Sequence, residues 1–200
     1  MKKLFLAIIL LFTTTLVAGE TTWKADVVHS KVLFTVSHMV ISEVTGRFND
    51  FDVTVVQPGN DFAKSKVTVS VKAKSIDTDN EKRDTHLRSE DFFHSEKYPE
   101  IRFVSKSFEP SGNNGYKITG ELTIRDVTKQ VTLTAKYNGL RKDPWGNEVV
   151  GFKATTTIDR TEFGLKWNKA LEAGGFLVGD DVEMTFQMEL TKEKKSETMR

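Results

Sequence analysis

Four histidines, His29, His38, His86 and His94, are the residues of this 200-residue chain best suited to metal binding or proton transfer. A zinc site of the hydrolase type needs two of them one helical turn apart and a third ligand converging on the same point. No pair has that spacing, and His86 and His94 lie eight residues apart in a stretch without strand alternation. Cysteine is absent, which removes disulfides, thiolate nucleophiles and thiolate-held metals together. Serines are numerous, but none stands in a G-x-S-x-G elbow or at a defensible spacing from a histidine and an acid. The adjacent carboxylates Glu90-Asp91 and Asp180-Asp181 read as capping and turn residues, because glycosidase chemistry needs carboxylates that face each other. Gly174-Gly175 matches no phosphate or dinucleotide fingerprint. Binding is favoured over catalysis, and neither a cofactor nor a bound metal is expected.

The elements that would carry a binding site are strands. Period-two alternation puts Val32, Phe34, Val36 and His38 on one face, and Val67, Val69 and Val71 on another. Tyr116, Ile118, Gly120, Leu122 and Ile124 share a face, as do Val131, Leu133, Ala135 and Tyr137, and Val182, Met184, Phe186, Met188 and Leu190. Weaker runs over residues 46–56, 101–108 and 150–158 bring the expected number of strands to about eight. Turn signals separate them at Pro58-Gly59, Gly112 to Gly115, Asp126, Asp143 to Gly146 and Gly179-Asp180. One apolar face per strand with polar turns between suits an antiparallel sandwich or an up-and-down barrel, and disfavours a parallel sheet. Residues 79–93 lack alternation and predict a helical excursion capped at Asp79 or Asn80, and residues 166–177 form a second irregular piece.

Composition narrows the function classes. With 38% hydrophobic and 28% charged residues the chain is globular rather than disordered or polytopic. Twenty-nine basic against 28 acidic side chains give a net charge of +1, too little to neutralise the phosphates of a duplex, so no nucleic acid partner is expected. Residues 1–19 have the basic start, apolar run and small-residue end of a secretory signal, with cleavage expected near Gly19 and Glu20 and no stable membrane span afterwards. No cysteine follows the apolar run, which excludes a lipid-modified N-terminus. The domain is expected over residues 20–191, and residues 192–200 read as a charged, frayed tail.

The blocks HSKVLFTVSH (His29 to His38), TGRFNDFDV (Thr45 to Val53), SIDTDNEKRDTHLRSEDFF (Ser75 to Phe93), YPEIRFVS (Tyr98 to Ser105), GELTIRDVTKQVTL (Gly120 to Leu133) and DRTEFGL (Asp159 to Leu165) come in this order along the chain. Together they resemble the YceI-like family of polyisoprenoid-binding periplasmic proteins. The resemblance implies an all-β fold, an eight-stranded antiparallel lipocalin-like β-barrel with a helical flap, whose tunnel holds an isoprenoid, quinone-like or amide lipid. It also implies a periplasmic carrier, the rival reading being an enzyme of isoprenoid or lipid metabolism acting in the same cavity. The expected apolar tunnel residues are Phe34, Val36, Phe103, Ile118, Leu122, Leu133, Phe152, Met184, Phe186 and Met188, with His38, His86 and Arg88 as candidates for a polar head group. Asp159 and Arg160 could pair with each other, and structural roles are favoured for both over ligand contact. Oligomeric state is left open, a homodimer included.

Overall fold

The structure, a computed structural model, describes residues 19–172 and 174–194. The signal expected over residues 1–19 and the end of the expected tail therefore lie almost wholly outside the described residues. Most strands fall where alternation placed them, and the first and sixth of the eleven are additions. They are β1 (Glu20–Ala25), β2 (Lys31–His38), β3 (Ser42–Phe48), β4 (Phe51–Pro58), β5 (Lys66–Lys72), β6 (Ile76–Asp77), β7 (Glu100–Pro110), β8 (Gly115–Ile124), β9 (Val127–Lys142), β10 (Glu148–Asp159) and β11 (Val178–Lys192).

These pieces make eight barrel positions. Hydrogen-bonded neighbours run β1-β4-β5-β7-β8-β9-β10-β11, and β11 pairs back to β1 through Ala25↔Leu190 and Trp23↔Lys192, which closes the ring. Every pairing is antiparallel. Strand β11 serves two partners: its later residues meet β1, while Val178 to Gln187 meet β2. Thus β1 and β2 are one barrel strand broken at residues 26–30, and β3 and β4 are a second one broken at Asn49 and Asp50. A closed antiparallel barrel of eight strands is what the family resemblance implied. Closure was beyond the reach of alternation, which is the same in a sandwich.

The inward faces form one apolar interior. Val32, Val53, Val69, Ile118, Leu133, Ala154 and Leu190 are all buried in a continuous cluster. Strands β9 and β11, 16 and 15 residues long, extend about 50 Å at ~3.4 Å per residue, so the tilted barrel is tall for its width. Small residues sit where large rings need room. Gly46 lies directly across from Phe34, and Gly120 lies beneath the ring of Phe103, where a Cβ would come within 2.5 Å of its Cζ.

The two ends are closed differently. At the end where β1 begins, Phe62 from the loop after β4 is buried and stands edge-on to Phe152 at a centroid distance of 4.9 Å, with Tyr137, Trp23 and Phe108 around it. At the other end lies helix α1 (Glu81–Arg88), half the length of the expected excursion. Asn80 caps it by accepting from the Arg83 N–H at 3.0 Å. Glu81 and Asp84 at its start and His86 and Arg88 at its end complement the helix dipole. The helix stops at Ser89, whose backbone is extended, and residues 89–99 continue as turns.

Polar bonds to the barrel hold this flap. Buried Asp84 accepts from the Thr78 N–H at 2.9 Å and its hydroxyl at 2.6 Å, and Arg83 donates to the Thr78 hydroxyl oxygen and carbonyl at 2.7 and 2.8 Å. Arg160, 4% exposed, donates to the carbonyls of Gly179, Leu165 and Trp167 and to the Asp180 carboxylate at 3.0 Å. Burial pushes its guanidinium pKa below the ordinary arginine value, and Asp180 opposes that shift. Both residues take structural roles, though not as a hydrogen-bonded pair with each other. Asp159 instead accepts from the Thr161 N–H and hydroxyl at 2.8 and 2.6 Å, turning the chain into the short 3-10 segment Arg160–Phe163. Strand β11 also runs one residue into the expected tail, with Lys192 bound to Glu148 at 2.6 Å.

Candidate functional site

The barrel interior is a chain of cavities. An inner chamber of about 80 Å³ is lined by Val53, Val69, Phe103, Phe108, Ile118, Leu122, Leu133, Phe152, Met184, Phe186, Met188 and Leu190, among others. A second chamber of about 90 Å³ lies beneath the flap, between Phe34, Val36, Phe48, Leu87, Phe92, Ile158, Val182 and Met184. Met184 borders both. Phe34, Val36, Leu87, Phe92 and Val178 in turn border the second chamber and an outer cavity of about 410 Å³. That cavity, the mouth, is rimmed by Ser37, His38, Asn80, Lys82, Arg83, His86, Trp167 and Leu177. An apolar route thus leads from mid-barrel to the rim of the flap.

The walls decide what such a route can hold. Water in either chamber would find almost no polar partner, and apolar cavities of about 150 Å³ stay dry and admit benzene-sized guests. The aliphatic, aromatic and thioether side chains suit a flexible hydrocarbon, and the unbranched methionines adapt to its shape.

All ten expected tunnel residues line this interior. Phe34 and Val36 lie at the flap end, Phe103, Ile118, Leu122, Leu133, Phe152, Phe186 and Met188 in the inner chamber, and Met184 between. His38 and His86 are brought together at the mouth. Arg88 is not, because its guanidinium donates to the carbonyls of Lys74 and Ile76, each at 2.9 Å, and to Glu81, which ties the helix to β6. The cations that reach the mouth are Lys82 and Arg83, from the start of the same helix. Sequence reasoning also missed Trp167 and Leu177, which come from the second irregular stretch and carry no periodic signal.

The mouth is aromatic as well as polar. The His86 ring stands edge-on to Trp167 at 4.7 Å and to Phe92 at 5.1 Å, and its Nε2 lies 2.8 Å from the Asp91 carboxylate.

A second histidine–carboxylate group lies on the barrel wall. His29 Nδ1 is 2.9 Å from Asp26 and 3.9 Å from Glu189, where β1 breaks from β2. The bond to Asp26 raises the pKa of His29 and lowers that of Asp26. These three residues could offer ligand atoms within 4.8 Å of one another. Histidine spacing could not reveal the grouping, since Glu189 is remote in sequence. Asp26 is already engaged by the N–H groups of Val28 and His29.

Comparison with known proteins settles the family. A family profile described as a YceI-like domain matches residues 23–190. The chain belongs to the YceI-like family. A UPF0312 protein of Staphylococcus aureus (strain USA300) is 39% identical over 172 residues, 86% of this chain and 98% of the relative. Among solved structures, Burkholderia cenocepacia BcnA superposes with a TM-score of 0.71 at 23% identity, over 84% of this chain and 98% of that one. A polyisoprenoid binding domain from Saccharophagus degradans, implicated in plant cell wall breakdown, superposes with a TM-score of 0.59 at 14% identity, over 86% and 98% of the two chains. Both likenesses show the fold. Among the described residues no helix is long and apolar enough to cross a membrane.

Proposed function

We propose that this YceI-like protein is a periplasmic carrier that holds one long apolar chain, an isoprenoid or a lipid like it, in the barrel with its head group at the mouth. The observation that carries the reading is the shared wall. Met184 borders both inner chambers, and Phe34, Val36 and Leu87 border the second chamber and the mouth, so apolar surface continues from mid-barrel to the flap. Each methylene moved from water into this lining gains about 0.8 kcal/mol, which is why such a chain needs a carrier in an aqueous compartment. His38 and His86 are positioned to bond a head group, and the rings of Trp167 and Phe92 to cover it. The polyisoprenoid binding domain of the same fold supports the ligand class.

Mass spectrometry of organic extracts from gently purified protein tests the reading. One intact lipid per chain is expected. A chemically altered product would favour an enzyme, and an extract with no lipid would leave a dry core. Export is tested apart from this: the mature chain is expected to begin near Glu20 and to be released by osmotic shock, and an intact Met1 on membrane-bound protein would refute it.

A further inference from the structure

Between β1 and β2 the chain leaves the barrel ladder over residues 26–30 and returns to the same partner. The Asp26 N–H donates to the Glu189 carbonyl at 2.9 Å. Ser30, 5% exposed, donates its hydroxyl to that carbonyl at 3.1 Å and accepts from the Glu189 N–H at 3.0 Å. Both ends of the loop are therefore anchored on Glu189, a residue from the far end of the chain. Histidine spacing, the ground for expecting no metal, is blind to a ligand that arrives from so far away.

The loop aims two ligand side chains at the third. Asp26 Oδ1 accepts from the N–H groups of Val28 and His29 at 2.9 and 3.4 Å, which turns Oδ2 toward the imidazole. From His29 Nδ1, Asp26 Oδ2 lies 2.9 Å away and Glu189 Oε1 3.9 Å, and all three atoms fall within 4.8 Å of one another. Zinc bonds to imidazole nitrogen and carboxylate oxygen are about 2.0–2.2 Å long, which sets neighbouring ligand atoms roughly 3.0–3.5 Å apart. Asp26 and His29 are already close to that spacing, and Glu189 reaches it by a small rotation of a half-exposed side chain. Gly151 faces Glu189 across the β10 pairing, so no side chain crowds it from that strand.

Charge and chemistry select the ion. Two carboxylates balance a dication, and among the described residues no lysine or arginine forms an ion pair with either of them. Lys24 and Lys192, on the same two strands, are engaged by Glu193 and Glu148. One imidazole with two carboxylates suits a borderline metal such as zinc, and offers too few oxygens for calcium, which takes roughly six to eight. The other histidine–carboxylate pair, His86 with Asp91, gathers no third ligand of this kind among the described residues.

We propose that Asp26, His29 and Glu189 bind one zinc-like divalent metal ion through Oδ2, Nδ1 and Oε1, with water completing the shell, and that the ion clips the 26–30 loop to β11 where the barrel closes. The site lies on the outer wall, goes beyond the carrier reading and is independent of what fills the barrel.

Full-length mature protein, delipidated, untagged and stripped with a chelator, is titrated with zinc chloride just above neutral pH. One zinc per chain is expected to bind in the micromolar range and to raise the melting temperature, because the ion binds the folded chain. In NMR spectra zinc is expected to shift the His29 ring and to leave those of His38, His86 and His94 in place. His29→Ala and Glu189→Gln are each expected to weaken zinc binding by about tenfold or more. Both side chains are well exposed, so the metal-free variants are expected to melt within a few degrees of wild type. No saturable uptake of zinc, uptake that survives both substitutions, or shifts centred on His86 would overturn the proposal. So would calcium binding more tightly than zinc, since that would leave the imidazole out of the shell.

Discussion

Gly46→Ala probes the channel with a single methyl group. A Cβ at this position would lie 2.3 Å from Cζ and 2.7 Å from Cε1 of Phe34, and 2.8 Å from Cγ2 of Thr78. Something must give, and the two neighbours differ in freedom. Thr78 is fixed by Asp84 and Arg83 through its hydroxyl and backbone. Phe34 is half-buried and borders both the second chamber and the mouth, so its ring can swing into empty space. Overpacking costs about 1–3 kcal/mol, and replacing glycine in a strand returns about 0.5–1 kcal/mol through the unfolded chain. A net loss near 1 kcal/mol is expected for delipidated protein, or about 2–4 °C in melting temperature for a chain of this size. The displaced ring should fill much of the 90 Å³ chamber, so lipid retained through purification should fall several-fold. Adding Phe34→Ala should restore retention by removing the ring. Delipidated proteins must be compared with each other, so that lost ligand stabilisation is not read as strain. A loss of 3 kcal/mol or more with unchanged lipid content would refute the reasoning, because it would place Phe34 in a packed core off the ligand path.

Other expectations follow from single residues. Arg160→Ala should cost about 3–5 kcal/mol in urea unfolding, since it strips partners from buried carbonyls; a loss under 1 kcal/mol would show that water replaces the guanidinium freely. Phe62→Ala should cost about 3–5 kcal/mol and speed lipid loss, because it removes the plug ringed by Phe152 and Tyr137; unchanged lipid release would show that this end stays sealed without the ring. His29 should titrate above the ordinary histidine value by NMR and fall back toward it in Asp26→Asn. The stabilisation from raised His29 is fully present below the unfolded-state value and fades as pH rises through the folded one, whereas that from lowered Asp26 is present above its unfolded value and fades as pH falls through the folded one. An unchanged His29 titration in Asp26→Asn would exclude the pair in solution.

Strand positions were legible because each buries one face, and Val182, Met184, Phe186, Met188 and Leu190 announce their orientation in the sequence itself. Strand β1 was not legible. Its ETTWKA sequence fully buries only Trp23, and of the other positions all but Ala25 are polar or charged. The break at Asn49 and Asp50 was hidden too, since the apolar phase resumes in β4 with Phe51, Val53 and Val55. Closure depends on Leu190 reaching Ala25, a pairing between residues from opposite ends of the chain, which no local pattern encodes. The interior half of the candidate site was readable for the same reason as the strands. The mouth was not: Trp167 projects from irregular backbone, Lys82 from the first turn of a short helix, and whether Arg88 faces a ligand or a carbonyl depends on where β6 passes the helix.

The unlike ends of the barrel bear on how a ligand would enter. Opening the Phe62 end exposes a cluster of five interlocked rings, Phe62, Trp23, Phe108, Tyr137 and Phe152, and nothing in water repays the lost burial. Opening the flap end breaks hydrogen bonds at Thr78, Arg83 and Arg88, several of them partly exposed. Water can replace such bonds at a net cost of about 0.5–1.5 kcal/mol each. Helix α1 itself buries little apolar surface, Asp84 being its one fully buried residue and Leu87 packing against the core, whereas Phe92 and Phe93 beyond it stay anchored in the core. A segment held by exchangeable polar bonds and a small apolar contact opens more readily than one held by stacked rings. The carrier reading therefore sends ligand through the mouth beside His38 and His86.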